Sequence, residues 1–253
     1  MFSVLTLNLN GQRDRWLGRR ELLLAEILRE LPDFIAFQDV SVSGRQVNWL
    51  ARQLNARWGT HLYHWIQVGR GGWFGGFSDG VAILSRFPIL WHERIDLGHG
   101  MIGGLANIEL PLGWTMDFVS VRLLFGERLS DIRYEQGMAL LSMLTAPGRS
   151  TQQIVVGSFN DGADSRVIRR MKQNYHSAFE SVHGCEPIAT FPTALVQLDP
   201  HWTACLDYIF LSTAVSVSEI RLFGQKGHPD DPDLFMSSHV GLLTRIQFPR
   251  IED

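Results

Sequence analysis

Acids, amides and histidines stand beside several strand-like segments of this 253-residue chain, and their spacing limits the chemistry open to them. His61 and His64 are three residues apart in a strand-like region, so they face opposite sides and make a poor metal pair. Glu21 and Glu26 fall on a helical stretch and read as solvent-facing. Asp230, Asp231 and Asp233 lie among prolines and read as a solvated loop just before Ser237, Ser238 and His239. Trp73, Phe74 and Phe77 are set among glycines with Arg70, in a segment able to stack on a base, sugar or lipid, or to pack back onto a sheet. Cys185 and Cys205 form no CxxC pair and are expected to be reduced, buried small hydrophobes. Arg far outnumbers Lys, which suits planar anion recognition.

The bulk composition is that of a globule able to bury a substantial core, with 45% hydrophobic and 19% charged residues. A formal net charge of -3 argues against a dedicated nucleic-acid binder, which needs a basic excess for phosphate contacts. No apolar stretch approaches a membrane span. The chain opens directly on a strand-like run with no basic leader segment. A cytoplasmic, monomeric protein is the expectation.

These residues need elements to hold them, and hydrophobic periodicity supplies the outline. Residues 2–8 alternate as a strand and end at the turn signal Asn10-Gly11. Helical spacing runs over 19–31 and stops at Pro32, and a short buried strand follows at 34–38. A second amphipathic helix is predicted at about 43–57. Short strands follow at 62–68, 80–85, 89–96, 104–110 and 114–123, separated by glycine-rich breaks. A helix over about 130–145, a strand over 153–156, a short helix near 164–172 and strands at 206–211, 215–223 and 240–248 complete the chain. No repeat or linker divides it, so residues 1–253 read as one α/β (α+β) domain of two packed sheets flanked by helices.

Five segments in order carry a pattern: Leu5-Thr-Leu-Asn-Leu-Asn-Gly11, Pro32-Asp-Phe-Ile-Ala-Phe-Gln-Asp-Val40, Asp79-Gly-Val-Ala-Ile-Leu-Ser-Arg-Phe-Pro-Ile89, Val156-Gly-Ser-Phe-Asn160, and Leu206-Asp-Tyr-Ile-Phe-Leu-Ser212 followed by Ser237-Ser-His239. Together they resemble the endonuclease/exonuclease/phosphatase superfamily over nearly the whole chain. The resemblance implies a four-layer αββα sandwich of DNase I type. It also implies in-line hydrolysis of a phosphoester, with Mg²⁺ or Mn²⁺ held on carboxylates and an amide oxygen. An Asp with a neighbouring Asn would position and deprotonate water, and histidines would hold the phosphate.

Carried over residue by residue, the resemblance gives Asn8 and Asp39 as metal ligands, although Asp39 stands where the family has Glu and is shorter by about 1.5 Å. It gives Asn160, Asp207, His239 and Arg122 as catalytic residues, with Asp207 reading equally well as a buried hydrogen-bonding acid. Three positions depart from the family pattern. Ser158 replaces the acid of Gly-Asp-Phe-Asn, and serine has no useful basicity near neutral pH. Ser238 replaces the acid of Ser-Asp-His. Arg122 stands where a phosphate-binding histidine is expected, in a strand that precedes the helix motif Arg133-x-x-Gln136. Asp161 lies next to Asn160 and would have to swing across to replace the lost base.

Two lost carboxylates and one added cation point to a weakened Mg²⁺ or Mn²⁺ site. Conversely, Arg122 and His239 could hold an anion by charge-assisted hydrogen bonds. Two functions follow as expectations: a metal-dependent phosphodiesterase or phosphatase with weak or lost activity, or a non-catalytic module that binds phosphate, another anion or a protein. The ligand expected is a phosphate-containing small molecule, nucleic acid or lipid headgroup.

Overall fold

The computed structural model describes residues 1–11, 15–58, 62–71, 77–196 and 203–249. The chain begins with β1 (Phe2–Asn8), α1 (Trp16–Glu30), β2 (Phe34–Ser41) and α2 (Gln46–Trp58). Five strands follow: β3 (His64–Gly71), β4 (Phe77–Ser85), β5 (Ile89–Gly98), β6 (Met101–Leu110) and β7 (Trp114–Arg122). Next come α3 (Ser130–Leu144), β8 (Gln153–Ser158), α4 (Arg166–Lys172), β9 (His176–Ser177) and α5 (Ala178–His183). The chain closes with β10 (Asp207–Leu211), β11 (Ser216–Phe223) and β12 (Gly241–Gln247).

The strands form two six-stranded sheets, ordered β11-β12-β1-β2-β4-β3 and β5-β6-β7-β8-β10-β9. Their facing sides bury Val4, Phe34, Ala36 and Ile83 of one sheet against Ala106, Phe118, Ile154 and Ile209 of the other. Phe34 and Phe118 meet across this seam at 5.7 Å between ring centroids. Emptying such a position to Ala costs about 3–5 kcal/mol. The outer side of the first sheet packs Leu5, Leu7 and Phe37 under Leu23, Ile27 and Leu50 of α1 and α2. The outer side of the second packs Val119, Val155 and Tyr208 under Leu140, Leu144 and Ile168 of α3 and α4. Helix, sheet, sheet and helix therefore stack as the four layers expected.

Each sheet has one parallel pair at its centre, β1 with β2 and β7 with β8, and these pairs end on the same side of the sandwich. Gly157 makes this possible in β8, because its φ is +142° and a Cβ there would lie 2.0 Å from the Val121 carbonyl oxygen.

Local differences from the sequence reading have physical causes. Helix α1 begins at Trp16 rather than residue 19, because the Trp16 ring buries against Trp49 at 6.4 Å. The short β9 and α5 have no counterpart in the hydrophobic periodicity. Cys205 is buried and its thiol pKa is pushed up to about 12 by that burial, whereas Cys185 is exposed, correcting the expectation that both are buried. Trp73, Phe74 and His61 fall outside the described residues. Among the described residues no helix is long and apolar enough to cross a membrane.

Candidate functional site

Strand register brings the singled-out residues together. Asn8 pairs with Gln38 where β1 ends. Arg122 pairs with Ser158, and Ser158 in turn with Asp207, so the three sit side by side across β7, β8 and β10. His239 reaches the same end from the segment before β12. A cavity of about 280 Å³ opens there, lined by Asn8, Asn10, Asp39, Arg122, Asn160 and His239 on its polar side. Phe125, Phe191 and Val196 form the apolar wall, and Ser238 completes the lining.

Three lining residues, Asn10, Asp39 and Asn160, have left-handed backbones with φ of +49°, +49° and +55°. Asn and Asp tolerate this region better than other side chains, which is one reason these types occupy the rim. Asp39 also coincides with a register shift between β2 and β4, which turns its carboxylate out of the sheet.

The floor is a closed hydrogen-bond relay. Asn8 Nδ2 donates to Ser158 Oγ at 3.0 Å, and Ser158 Oγ donates to Asp207 Oδ1 at 2.6 Å. The other oxygen of Asp207 accepts from Thr190 Oγ1 and pairs with His239 Nδ1, both at 2.7 Å. Asp207 is 2% exposed and Ser158 is fully buried. Both oxygens of Asp207 are therefore spent on orienting neighbours, and His239 is left with Nε2 for a ligand. Phe191 packs on the His239 ring at 4.7 Å, fixing its tilt. Thr190 and Phe191 were not legible from the sequence, because neither belongs to a recognisable motif.

The wall is ionic. Arg122 Nη2 lies 3.3 Å from Asp39 Oδ2, and its Nη1 lies 3.3 Å from Asp79 Oδ2. Arg70 Nη1 closes on the same Asp79 oxygen at 3.2 Å. Arg122 Nε is buried and has no hydrogen-bond partner among the described residues. Asp161 does not join this wall: Arg133 Nε at 2.9 Å and Ser130 Oγ at 2.8 Å hold its carboxylate. Asn160 donates its amide nitrogen to the Leu123 carbonyl at 2.6 Å, which leaves its oxygen side toward the cavity. Arg19, fully buried, donates to the carbonyls of Leu9 and Met236 at 3.0 and 3.1 Å, tying the end of β1 to the Ser237–His239 segment.

The family resemblance of the sequence implies a divalent metal, so the donors present must be weighed against a hard cation. Such an ion takes anionic oxygens. Asp39 offers the one carboxylate lining the cavity among the described residues, and it faces Arg122. Asn8 Oδ1 accepts from the Asn10 backbone N–H at 2.9 Å. Among the described residues, no three of His, Cys, Asp and Glu group as a metal set. The donor set does not fit a tightly held Mg²⁺ or Mn²⁺.

Two mixed sheets layered between helices, with a polar row where their parallel strands end, define an α/β sandwich of the DNase I type. The chain belongs to the endonuclease/exonuclease/phosphatase family, whose model matches residues 5–229. No curated protein sequence matches it. Among solved structures, the human Nocturnin catalytic domain with bound sulfate anion is similar at a TM-score of 0.79 and 21% identity, covering 98% of this chain and 93% of that one. D. rerio TDP2 humanized by 14 mutations gives 0.77 at 18% identity, over 97% and 98% of the two chains. A Bacteroides thetaiotaomicron mannosyl-6-phosphatase gives 0.77 at 14% identity, over 98% and 100%. At these identities the likeness is one of fold.

Proposed function

We propose that this protein is a phosphate-ester-binding member of its family that holds its ligand with Arg122 and His239 and does not hydrolyse it efficiently by the metal-dependent route. The observation that carries the reading is the Arg122–Asp39 pair: a permanent guanidinium stands against the one carboxylate that lines the cavity among the described residues. Ser158 supports it, since a buried hydroxyl already engaged on both sides cannot take a proton from water. Loss of a general base alone removes about 10²–10⁴ in rate. Arg122 keeps donors beyond those facing Asp39 and Asp79, and charge-assisted bonds from guanidinium to phosphate are among the strong ones. That Nocturnin holds a sulfate and that the Bacteroides relative is a phosphatase agree with an anion in this cleft. The ligand on this reading is a phosphate-containing small molecule.

The intact His239–Asp207 pair favours a second reading, slow hydrolysis through a rebuilt site. One experiment separates the two. A panel of phosphodiesters and phosphomonoesters is incubated with Mg²⁺, Mn²⁺ or EDTA, beside His239→Ala as the control for contaminating nucleases. The proposal expects binding that EDTA leaves unchanged and no turnover above the control. Metal-dependent turnover that His239→Ala abolishes would overturn it.

A further inference from the structure

We infer that the cleft prefers singly charged phosphodiesters to doubly charged phosphomonoesters, and that Asp39 is the residue that sets this preference. The inference rests on the reading of Arg122 as the anion contact. It comes from the charges around the cavity. Arg70, Asp79, Arg122 and Asp39 form a row in which each neighbour is within 3.3 Å, and its two cations and two carboxylates cancel. His239 pairs with Asp207, and that pair adds no net positive charge in either protonation state of the ring. Arg122 is the one Arg or Lys lining the cavity among the described residues. Arg133 is spent on Asp161 and on the carbonyls of Leu124 and Gly126.

Among the described residues a ligand therefore meets one reachable guanidinium and no surplus of positive charge. A phosphodiester brings a single charge, and its oxygens can accept from the remaining N–H donors of Arg122. A phosphomonoester carries about 1.5 to 2 charges at neutral pH. Its second charge would lie beside Asp39 without a counter-charge, in a site where the Arg122 and Asp39 side chains are each only 19% exposed. Like charges brought together in such a place are rejected strongly. Geometry agrees with an ester bearing two substituents. Phe125 meets Phe191 edge-on at 5.7 Å, and the two rings give one substituent an apolar wall, while Asn10 borders the polar side for the other.

The test uses the full chain in EDTA and two probes with the same aryl group, methyl phenyl phosphate with one charge and phenyl phosphate with two. Isothermal titration at about pH 8 is expected to give a preference of roughly tenfold or more for the diester. Asp39→Asn should bring the ratio close to unity, and Asn accepts the left-handed backbone of this position. An independent check needs no variant. Phenyl phosphate regains a proton near about pH 6, so the wild-type ratio should narrow at about pH 5. Equal affinities at the higher pH, or a preference that survives Asp39→Asn in a folded variant, would overturn the selectivity and leave Arg122 as an anion contact. Failure of both probes to bind, to the wild type and to Asp39→Asn alike, would overturn the anion reading and this inference with it.

Discussion

Arg122 and Asp39 join the two sheets across the cleft, guanidinium Nη2 to carboxylate Oδ2 at 3.3 Å. The distance exceeds the 2.7–2.9 Å of a tight charge-assisted bond, so the guanidinium is shared between Asp39, Asp79 and the cavity. Arg122→Ala is expected to lose phosphate-ester binding by about 1.5–3 kcal/mol, roughly tenfold to hundredfold in Kd. Arg122→Lys should recover only part of this, because an ammonium lacks the planar fork. Titration of both variants with methyl phenyl phosphate decides the matter. Unchanged affinity in Arg122→Ala would remove this residue from the site.

Ser158 offers a test of the relay beneath the cavity. Its hydroxyl links Asn8 to Asp207, and no solvent reaches it. Ser158→Ala should cost about 1–3 kcal/mol, since Asn8 Nδ2 and Asp207 Oδ1 both lose their partner. In metal-free buffer Ser158→Asp should be the less stable of the two, because it sets a second carboxylate against Asp207 in a buried place. Urea midpoints rank them. Ser158→Asp matching the wild type would mean that the relay does not hold Asp207 as described.

Much of this architecture is legible in the sequence, and the exceptions have causes. Strand alternation and glycine breaks locate nearly every long strand, and Pro32 marks the end of α1. The two-residue β9 is too short for any period, yet Ser177-Ala-Phe-Glu180 has the spacing of a capping box, and Ser177 Oγ does accept from the Glu180 N–H. At the site, the ordered motifs place Asn8, Asp39, Ser158, Asp207 and His239 at one end of the sandwich. They do not foretell that Asp79 bridges Arg70 and Arg122, because that contact depends on how two sheets face each other. Phe125 and Phe191 stay hidden for the same reason: a ring becomes a cavity wall only through tertiary packing.

Arg19 is the residue whose role the sequence conceals most, since a helical arginine ordinarily faces solvent. Here it is fully buried, and it donates to the Leu9, Asn10 and Met236 carbonyls. Arg19→Met keeps the apolar stem but strands those carbonyls, at about 1–3 kcal/mol for each that stays dry. Thermal unfolding should report the loss. Ligand affinity should also fall, because the Met236 bond steadies the approach to His239. A destabilised variant with wild-type affinity would confine Arg19 to the core.

Thiol chemistry gives a check on the burial of the second sheet. Cys205 sits under the outer face, and burial raises its thiol to about 12, so almost no thiolate forms at pH values used for labelling. Cys185 is exposed. Iodoacetamide at about pH 8 is expected to modify one thiol in the native chain and two after unfolding. Mass spectrometry that finds Cys205 labelled in the native chain would contradict its placement.

Acids at positions 158 and 238, with a histidine at 122, would match the pattern that the family resemblance implies. Three changes, Arg122→His, Ser158→Asp and Ser238→Asp, would remove the cation that faces Asp39 and place two carboxylates beside the cavity. Taken alone, each is expected to harm the protein. Arg122→His frees Asp39 and Asp79 from their shared partner, and either new acid repels the carboxylates already present. Combined, they supply the anionic oxygens that a hard divalent cation requires, so the ion itself should relieve the repulsion. The triple variant should therefore be less stable than the wild type in EDTA and regain stability as Mn²⁺ is added, while the wild type is indifferent to Mn²⁺. Thermal melts across a Mn²⁺ titration read this without any assay of turnover. A triple variant whose melting ignores the metal would show that acids at positions 158 and 238 do not make this cleft a cation site.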